Sequence, residues 1–398
     1  MILTKYFNRF FNSSQSSGIL LMICVFASLL IANSSLGESF QNLLDRQLGT
    51  DFFHLKYPLS IWINDGLMAI FFLLVGLEIK REIVEGELST FRSASLPVIA
   101  ALGGMLVPAL IYIVFNSGTP YAKGWGIPMA TDIAFSLAIV SMLGNKVPAS
   151  IKIFLAALAI ADDLGAIAVI AFFYTGTIHW SYLAGAAAIM LVLVLLNVLN
   201  VKKHIFYLLP GMVLWYCMHH SGIHATIAGV LLAFTIPTNF SETEISPLEK
   251  LEQRLHLPVN FLIMPLFALA NTNILFREGM VDGLFSSFGM GIIMGLVFGK
   301  VIGINLFSFI AVKAGISGLP TYSRWHHMIG AGFLAGIGFT MSIFIAILSF
   351  KGNEDIQSEA KFAILVASVS SGIIGYILLR RTPSKHQDPA SSGISSGN

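Results

Sequence analysis

The stretch "LAALAIADDLGAIAVIAFFY", Leu155 to Tyr174, decides the fold class of this protein. All of its residues are apolar except Asp162, Asp163 and Gly165. A run of about 20 mostly apolar residues is long enough to cross the hydrocarbon core of a bilayer as a helix. The stretch therefore predicts a membrane-spanning helix that carries two adjacent carboxylates in its middle.

The composition of the whole chain supports a membrane protein. Of the 398 residues, 56% are hydrophobic and 11% are charged, whereas roughly a quarter of the residues in soluble domains are charged. The apolar content is also too high for a disordered chain. The net charge of +2 gives no sign of nucleic-acid binding. Cys24 and Cys217 lie inside apolar runs and are interpreted as buried hydrophobic residues, and no motif for a cofactor is present.

Similar apolar runs recur along the chain and predict an all-α membrane protein with twelve transmembrane helices. Most Lys and Arg residues fall in loops on the same side as both ends of the chain, so both termini are expected in the cytoplasm. The twelve runs lie near residues 18–36, 59–79, 95–116, 124–143, 150–174, 182–200, 205–218, 222–236, 256–272, 288–312, 327–350 and 361–379.

Residues 1–382 are expected to form one transmembrane domain. Within it, the polar loop 37–57 is a candidate β-hairpin on the outer face, because Gly49 is flanked by possible short strands. The polar, Ser- and Gly-rich segment 383–398 is expected to be a disordered cytoplasmic tail.

Four ionisable residues fall deep inside predicted spans: Asp132, Asp162, Asp163 and Lys300. Each such group costs roughly 2.5–3.5 kcal/mol at the centre of a spanning helix, so together they cost on the order of 10 kcal/mol before pairing. A cost of this size indicates a functional role, since intramembrane charges usually mark ion or substrate paths. The alternative is a structural Asp–Lys pair that only holds the helices together.

Asp162 and Asp163 cannot point the same way, because neighbours on a helix are about 100° apart. One can face a cavity while the other reaches an adjacent helix. Burial and a like-charged neighbour favour the protonated form of a carboxyl group, and a nearby Lys favours the ionised form. Such a carboxylate can bind either a proton or a small hard cation.

Two apolar segments contain residues that interrupt helices. Gly124–Ile139 has Gly126 and Pro128 before Thr131 and Asp132, and Gly330–Ile345 is rich in glycine. By our count these are the fourth and eleventh spans, and interrupted spans at matching places in two halves are typical of transporters built from inverted repeats. The alternative is that the glycines only allow close helix packing. We interpret the glycine row around Lys300, formed by Gly291, Gly295, Gly299 and Gly303, as such a packing surface.

Five segments closely resemble the NhaA-type sodium/proton antiporters of bacteria, and the resemblance covers nearly the whole chain. It implies inverted repeats with two broken helices that cross at mid-membrane, a homodimer formed through the loop 37–57, and a place in the bacterial inner membrane. The segments are "FLLVGLEIKREIVEGELS", "ATDIAFSLAI", "ALAIADDLGAIAVIAFFY", "SGIHATIAGVLLA" and "GAGFLAGIGFTMSIFIA".

The resemblance also implies roles for the buried residues. Asp163 would bind sodium or lithium and exchange it for protons, and Asp162 would be its partner, pairing with Lys300 when the ion is absent. Thr131 and Asp132 would sit at a helix break, where Asp132 compensates partial charges at helix ends. Exchange would be electrogenic, with more protons entering than sodium ions leaving.

A set of residues is implied in the response to pH: Glu78, Arg81, Glu82, Glu252, His256 and His224. Gln253 stands where a second histidine is expected, and it cannot titrate. A lone histidine at the entrance of a span, such as His256, is more often a solvated residue at the membrane interface. For His224 the alternative is a local hydrogen bond.

Two other functions compete with antiport. A passive cation channel needs an open pore lined by acids or carbonyls, and buried acid–Lys pairing argues against it. A proton-conducting or structural subunit of a membrane complex can also contain broken helices and buried acid–Lys pairs, and would be recognised by partners that copurify with it.

Overall fold

The computed structural model describes residues 14–238 and 245–382, and these are mostly helical. The predicted tail 383–398 lies outside the described residues. The main helices are α1 (Ser14–Ala32), α2 (Gly37–Leu44), α3 (Leu59–Val84), α4 (Phe91–Asn116), α5 (Ile133–Met142), α6 (Ala149–Phe173), α7 (Trp180–Val198), α8 (Ile205–Ser221), α9 (Ile227–Thr235), α10 (Pro247–Pro258), α11 (Met264–Asn271), α12 (Met280–Gly283), α13 (Ser287–Lys313), α14 (Trp325–Ala335), α15 (Phe339–Ser349) and α16 (Glu354–Arg381).

Six of these helices are long and apolar enough to cross a bilayer: α3, α4, α6, α7, α13 and α16. The number rises to nine if each bent pair of helices in the described part of the chain counts as one span. The other three predicted runs correspond to α8, to the short α9, and to α10 and α11, which a π-helical turn at Val259–Ile263 joins. The structure therefore supports six to nine apolar spans, and the count of twelve stays a prediction.

The loop 37–57 contains the helix α2 and one side of a short antiparallel ladder. Strand β1 (Gln47–Leu48) pairs with β2 (Tyr57–Pro58), with Gln47 opposite Pro58 and Leu48 opposite Tyr57. Gly49 follows β1 with a φ of +106°. A side chain there would be strained, so the turn favours glycine. The role of this hairpin in a dimer stays a prediction.

Two helix pairs are interrupted where the sequence predicts breaks. A 3₁₀ helix, Pro120–Met129, is followed by α5 at an angle of 41°, and α14 is followed by α15 at 45°. Residues 130–132 and 336–338 lie outside the helices. The backbone N–H of Asp132 donates a hydrogen bond to the carbonyl of Ile337, 2.6 Å away. The two breaks are therefore in direct contact.

The glycine row of α13 packs against α4. The missing side chain of Gly303 lets the backbone of α13 approach the carbonyl oxygen of Gly103, and Gly299 and Gly295 lie against Pro108. This agrees with the predicted packing role. The row does not itself bring a carboxylate to Lys300, because the carboxylate that meets Lys300 comes from α6.

We expect Gly303→Val to destabilise the protein, because its side chain would overlap the backbone of Gly103. Overpacking of a close contact costs typically about 1–3 kcal/mol, so the melting temperature of the purified protein should fall. The control is Gly318→Val, since Gly318 is exposed and has no neighbour within 4 Å of the added Cβ. Equal melting temperatures for the two variants would contradict the packing role.

Candidate functional site at the contact between two helix breaks

The buried charged residues converge from three parts of the chain. Asp162 and Asp163 lie in the middle of α6, Lys300 lies in α13 directly after the π-helical turn Gly295–Gly299, and Asp132 ends the first break. None of these side chains is more than 2% exposed. Lys300 is among the largest fully buried side chains of the described residues. A buried charge is tolerated only when it is paired or hydrogen-bonded.

Lys300 is paired with Asp162 and not with Asp163. Its Nζ lies 2.5 Å from Oδ2 of Asp162, and both side chains are fully buried. Nζ also donates to the hydroxyl of Thr131 at 2.9 Å, which in turn donates to the carbonyl of Ala335 at 2.8 Å. The pair is thus connected through Thr131 to the last residue of α14, where helix carbonyls have no partner within the helix.

Asp132 caps two helices at once. Its Oδ1 accepts from the N–H of Phe135 in α5 at 3.2 Å. Its Oδ2 accepts from the N–H of Thr340 in α15 at 3.1 Å and from the Thr340 hydroxyl at 2.5 Å. The first N–H groups of a helix carry partial positive charge. One carboxylate therefore neutralises the positive ends of both helices that begin at the breaks.

Asp163 is the member of the adjacent pair that is left open. Among the described residues it forms no salt bridge, and its Oδ1, like Oδ1 of Asp162, is buried without a hydrogen-bond partner. Asp162, its neighbour in α6, is a second buried carboxyl group, and it is the one that Lys300 neutralises. A buried carboxylate without a partner is costly. This position therefore favours a bound proton or cation.

No three His, Cys, Asp or Glu side chains converge as a metal site within 14–238 and 245–382. A cation at Asp163 would take its other oxygen ligands from hydroxyls, backbone carbonyls or water, as hard cations do. Free carbonyls are available only where helices end, and both breaks end helices beside this site.

A second cluster of charges lies at the end of α3. Arg81 binds Glu252 with Nη1 to Oε1 at 2.7 Å and Glu82 with Nη2 to Oε1 at 3.2 Å. Glu252 belongs to α10, outside the spans, where burial raises the pKa of its carboxyl group and Arg81 opposes that effect. Glu78 lies one turn before Glu82 on α3. The cluster therefore joins α10 to the last turns of α3.

The two predicted histidines lie at different ends of the molecule. His256 is exposed in α10, the helix of Glu252, with its Nε2 3.2 Å from Nδ2 of Asn260. Nε2 of His224 lies 2.6 Å from the carbonyl of Tyr174. His224 also lines a cavity at the start of α3, together with Asp65. The structure therefore places His256 near the cluster around Arg81 and His224 far from it.

Sequence reasoning missed the hydroxyl groups that stabilise the breaks. Besides Thr340, Ser136 donates to the carbonyl of Leu334 at 2.7 Å and Ser342 donates to the carbonyl of Ile127 at 2.7 Å. All three hydroxyls lie within the first turn or so after a break. Serine and threonine at that place in an apolar segment are the signal that could have identified them, because helix ends leave backbone groups to be paired.

We expect Thr131→Val to destabilise the site, while Thr131→Ser should not. Valine removes the hydroxyl that joins Lys300 to the carbonyl of Ala335 and leaves a buried carbonyl unpaired, which costs about 1–3 kcal/mol. The melting temperature should fall for the valine variant and stay near that of the original protein for the serine variant. A valine variant as stable as the serine variant would contradict this role of the hydroxyl.

Comparisons with known proteins agree with this geometry. The family model described as Na+/H+ antiporter 1 matches residues 8–379. The chain is 59% identical over 382 residues to the Na(+)/H(+) antiporter NhaA 2 of Flavobacterium johnsoniae, covering 95% of this chain and 93% of the relative. It is 50% identical over 380 residues to the NhaA antiporter of Flavobacterium psychrophilum, covering 96% and 97%. It is 51% identical over 382 residues to that of Dechloromonas aromatica, covering 95% and 96%. The chain therefore belongs to the Na+/H+ antiporter family of NhaA transporters.

Proposed function

We propose that this protein exchanges cytoplasmic sodium or lithium for external protons across the bacterial inner membrane, and that Asp163 is the group for which the ions compete. The observation that carries the proposal is the unequal state of the two adjacent carboxylates. Asp162 is neutralised by Lys300, whereas Asp163 forms no salt bridge among the described residues and its Oδ1 is buried without a hydrogen-bond partner. The family membership supports the same reaction.

Competition for one carboxylate couples the two ions. A proton on Asp163 removes the negative charge that holds sodium, and sodium on Asp163 repels a proton. The site can therefore be exposed to either side of the membrane with a proton bound or with a sodium ion bound, but not with both. Sodium then moves outward whenever the free energy released by the entering protons exceeds the free energy needed to expel the sodium ion.

The Asp162–Lys300 pair explains how exchange can be electrogenic. When a cation draws Asp162 toward it, Lys300 loses its carboxylate and is left as a buried ammonium, which is strongly unfavourable. Lys300 then releases its proton, in addition to the proton released by Asp163. Two protons leave the site for each sodium ion bound, so each cycle moves net charge.

We also propose a transmembrane arrangement for the chain. The chain would cross the membrane twelve times as inverted repeats with both termini in the cytoplasm, and the contact between the two breaks would lie at mid-membrane. The contact of Asp132 with Ile337 and the bends of 41° and 45° support the crossing. The ladder of β1 and β2 would then face outward, where it can join two copies as a homodimer.

The cluster around Arg81 would set the response to cytoplasmic pH. It lies at the end of α3 that the orientation places inside, and Glu78 lies one turn before Glu82 on the same helix. Lys80 donates to the carbonyls of Phe234 at 2.8 Å and Ile236 at 2.5 Å. It thereby attaches α3 to the end of α9. Glu252 is paired with Arg81 of α3. A change in charge at Glu252 would therefore act on the helix that also carries Glu78.

The two alternatives are less well supported. A passive channel requires a continuous hydrated pore, but the site residues are at most 2% exposed. A subunit of a membrane complex would not exchange ions as a purified chain.

We expect Asp163→Asn to abolish exchange in vesicles that contain the purified protein. Asparagine keeps the shape of the side chain and removes the charge that binds either ion. Sodium-dependent proton movement, followed with an internal pH dye, should fall to background. The control is Asp282→Asn, an exposed carboxylate on α12. Exchange that survives in Asp163→Asn would move the site elsewhere, and an inactive original protein would favour the complex-subunit alternative.

We expect Glu252→Gln to shift the activity profile to higher pH. Because the pKa of Glu252 is raised, its pair with Arg81 forms only above that pKa and is lost as the pH falls. Glutamine imitates the protonated form at every pH. The midpoint of activation should rise by roughly one unit, which corresponds to about 1.4 kcal/mol. An unchanged midpoint, equal to that of the exposed control Glu278→Gln, would contradict a regulatory role.

A further inference from the structure

His327 is a buried histidine that the proposed exchange mechanism does not use. It is the third residue of α14, the helix that ends at the second break, and with the proposed orientation this helix starts on the cytoplasmic side. His327 is 0% exposed, whereas the neighbouring His326 is exposed. A buried polar ring is costly unless its nitrogen atoms are paired. The hydrogen bonds of the ring therefore show which protonation state this structure holds.

The ring of His327 caps the start of α14. Its Nδ1 accepts a hydrogen bond from the backbone N–H of Arg324 at 3.1 Å, and the backbone N–H of His327 donates to the carbonyl of Arg324 at 2.9 Å. A side chain at the third helical position that reaches back to the N-cap N–H is one half of a capping box, where glutamate or glutamine is usual. Here a histidine takes that place, so the cap depends on a side chain that can gain a proton near neutral pH.

The donor in this hydrogen bond fixes the protonation state of the ring. A backbone N–H can only donate, so Nδ1 of His327 is unprotonated and the neutral ring carries its proton on Nε2. Nε2 is buried without a hydrogen-bond partner among the described residues, and the backbone of Thr382, directly after α16, lies close to the ring. A second proton would turn Nδ1 into a donor. The cap and a protonated ring therefore exclude each other.

The charges around the start of α14 also oppose a proton on His327. The first N–H groups of a helix carry partial positive charge, which repels a cation there. The helices packed against α14 are α16, α13, α6 and α5, and the described residues of these helices and their loops contain no acid at this end. The ionisable side chains at this end are all basic: Lys146, Lys152, Lys313, Arg324, His326, Arg380 and Arg381. Protonated His327 would therefore meet only positive charges.

The helix α14 joins this cap to the ion site. Its opposite end is Ala335, whose carbonyl accepts from Thr131, and Thr131 accepts from Lys300. The two ends are about 15 Å apart at 1.5 Å per residue. Between them, Gly330 lies against Leu379 of α16 without a side chain to hold it in place. A short hydrogen-bonded helix moves as a unit, so a change at its start displaces the carbonyl at the break.

We propose that His327 is a positioning residue for the ion site: the neutral ring caps α14 and holds the second break against Thr131, and a proton on the ring releases the cap and turns exchange off. This inference rests on the proposed antiport function. It adds a second pH-dependent element, on the broken helix itself and separate from the cluster around Arg81. An ordinary histidine is half protonated near pH 6.5. The released state, in which His327 reaches water, therefore gains population as the cytoplasmic pH falls through that value.

The test compares His327→Gln with His327→Ala in vesicles across a range of pH. Glutamine can accept from the N–H of Arg324 as in an ordinary capping box but does not titrate. The ratio of exchange at pH 6 to exchange at pH 8 should therefore rise about three-fold over that of the original protein. Alanine removes the cap at every pH, so exchange at pH 8 should fall. The control His326→Gln, an exposed neighbour, should keep the original profile. A His327→Gln profile equal to that of the control would overturn the proposal.

The melting temperature tests the cap without any transport. Because the folded state excludes the proton and the unfolded state binds it, the original protein should lose stability as the pH falls through about 6.5. His327→Gln lacks this loss, so its melting temperature relative to the original should rise between pH 8 and pH 5.5, while His326→Gln shows no such change. Equal pH dependence for the original protein and His327→Gln would overturn the cap. A pH-dependent difference in a protein that exchanges no ions at any pH would instead reject the antiport function.

Discussion

The buried contact between Lys300 and Asp162 is the interaction on which the rest of the site depends. Both side chains are fully buried at a separation of 2.5 Å, so neither charge is tolerated without the other. The contact fixes α13 against α6, and through Thr131 it reaches the end of α14. It also leaves Asp163 as the buried carboxylate of the adjacent pair that has no salt bridge among the described residues.

Breaking a helix costs free energy, and nearby polar side chains offset this cost by pairing the exposed backbone groups. Each break leaves N–H and carbonyl groups without helical partners. Asp132 pairs the N–H groups of both helices that start there, while the hydroxyls of Thr131, Ser136 and Ser342 pair carbonyls across the contact. These hydrogen bonds hold the two breaks in a fixed position against each other.

The helix α3 runs between two polar regions of the protein. Its last turns carry Arg81, which is paired with Glu252 of α10. Its first turns carry Asn64, which forms two amide hydrogen bonds with Asn271 of α11. Both ends of α3 are therefore attached to the part of the chain that contains α10 and α11.

The sequence by itself determined the class of fold, because long apolar runs can satisfy their backbone in lipid only as helices. It also identified Asp132, Asp162, Asp163 and Lys300, since charges in such runs are rare and costly. The number of spans was less accessible, because α9, α10 and α11 are short and interrupted. Only the tertiary structure decided that Lys300 meets Asp162 and that His224 lies apart from the Arg81 cluster. It also decided that Asn64 meets Asn271, 207 residues away. Helical periodicity fixes which residues share a face of one helix, whereas contacts between helices depend on how those faces pack together.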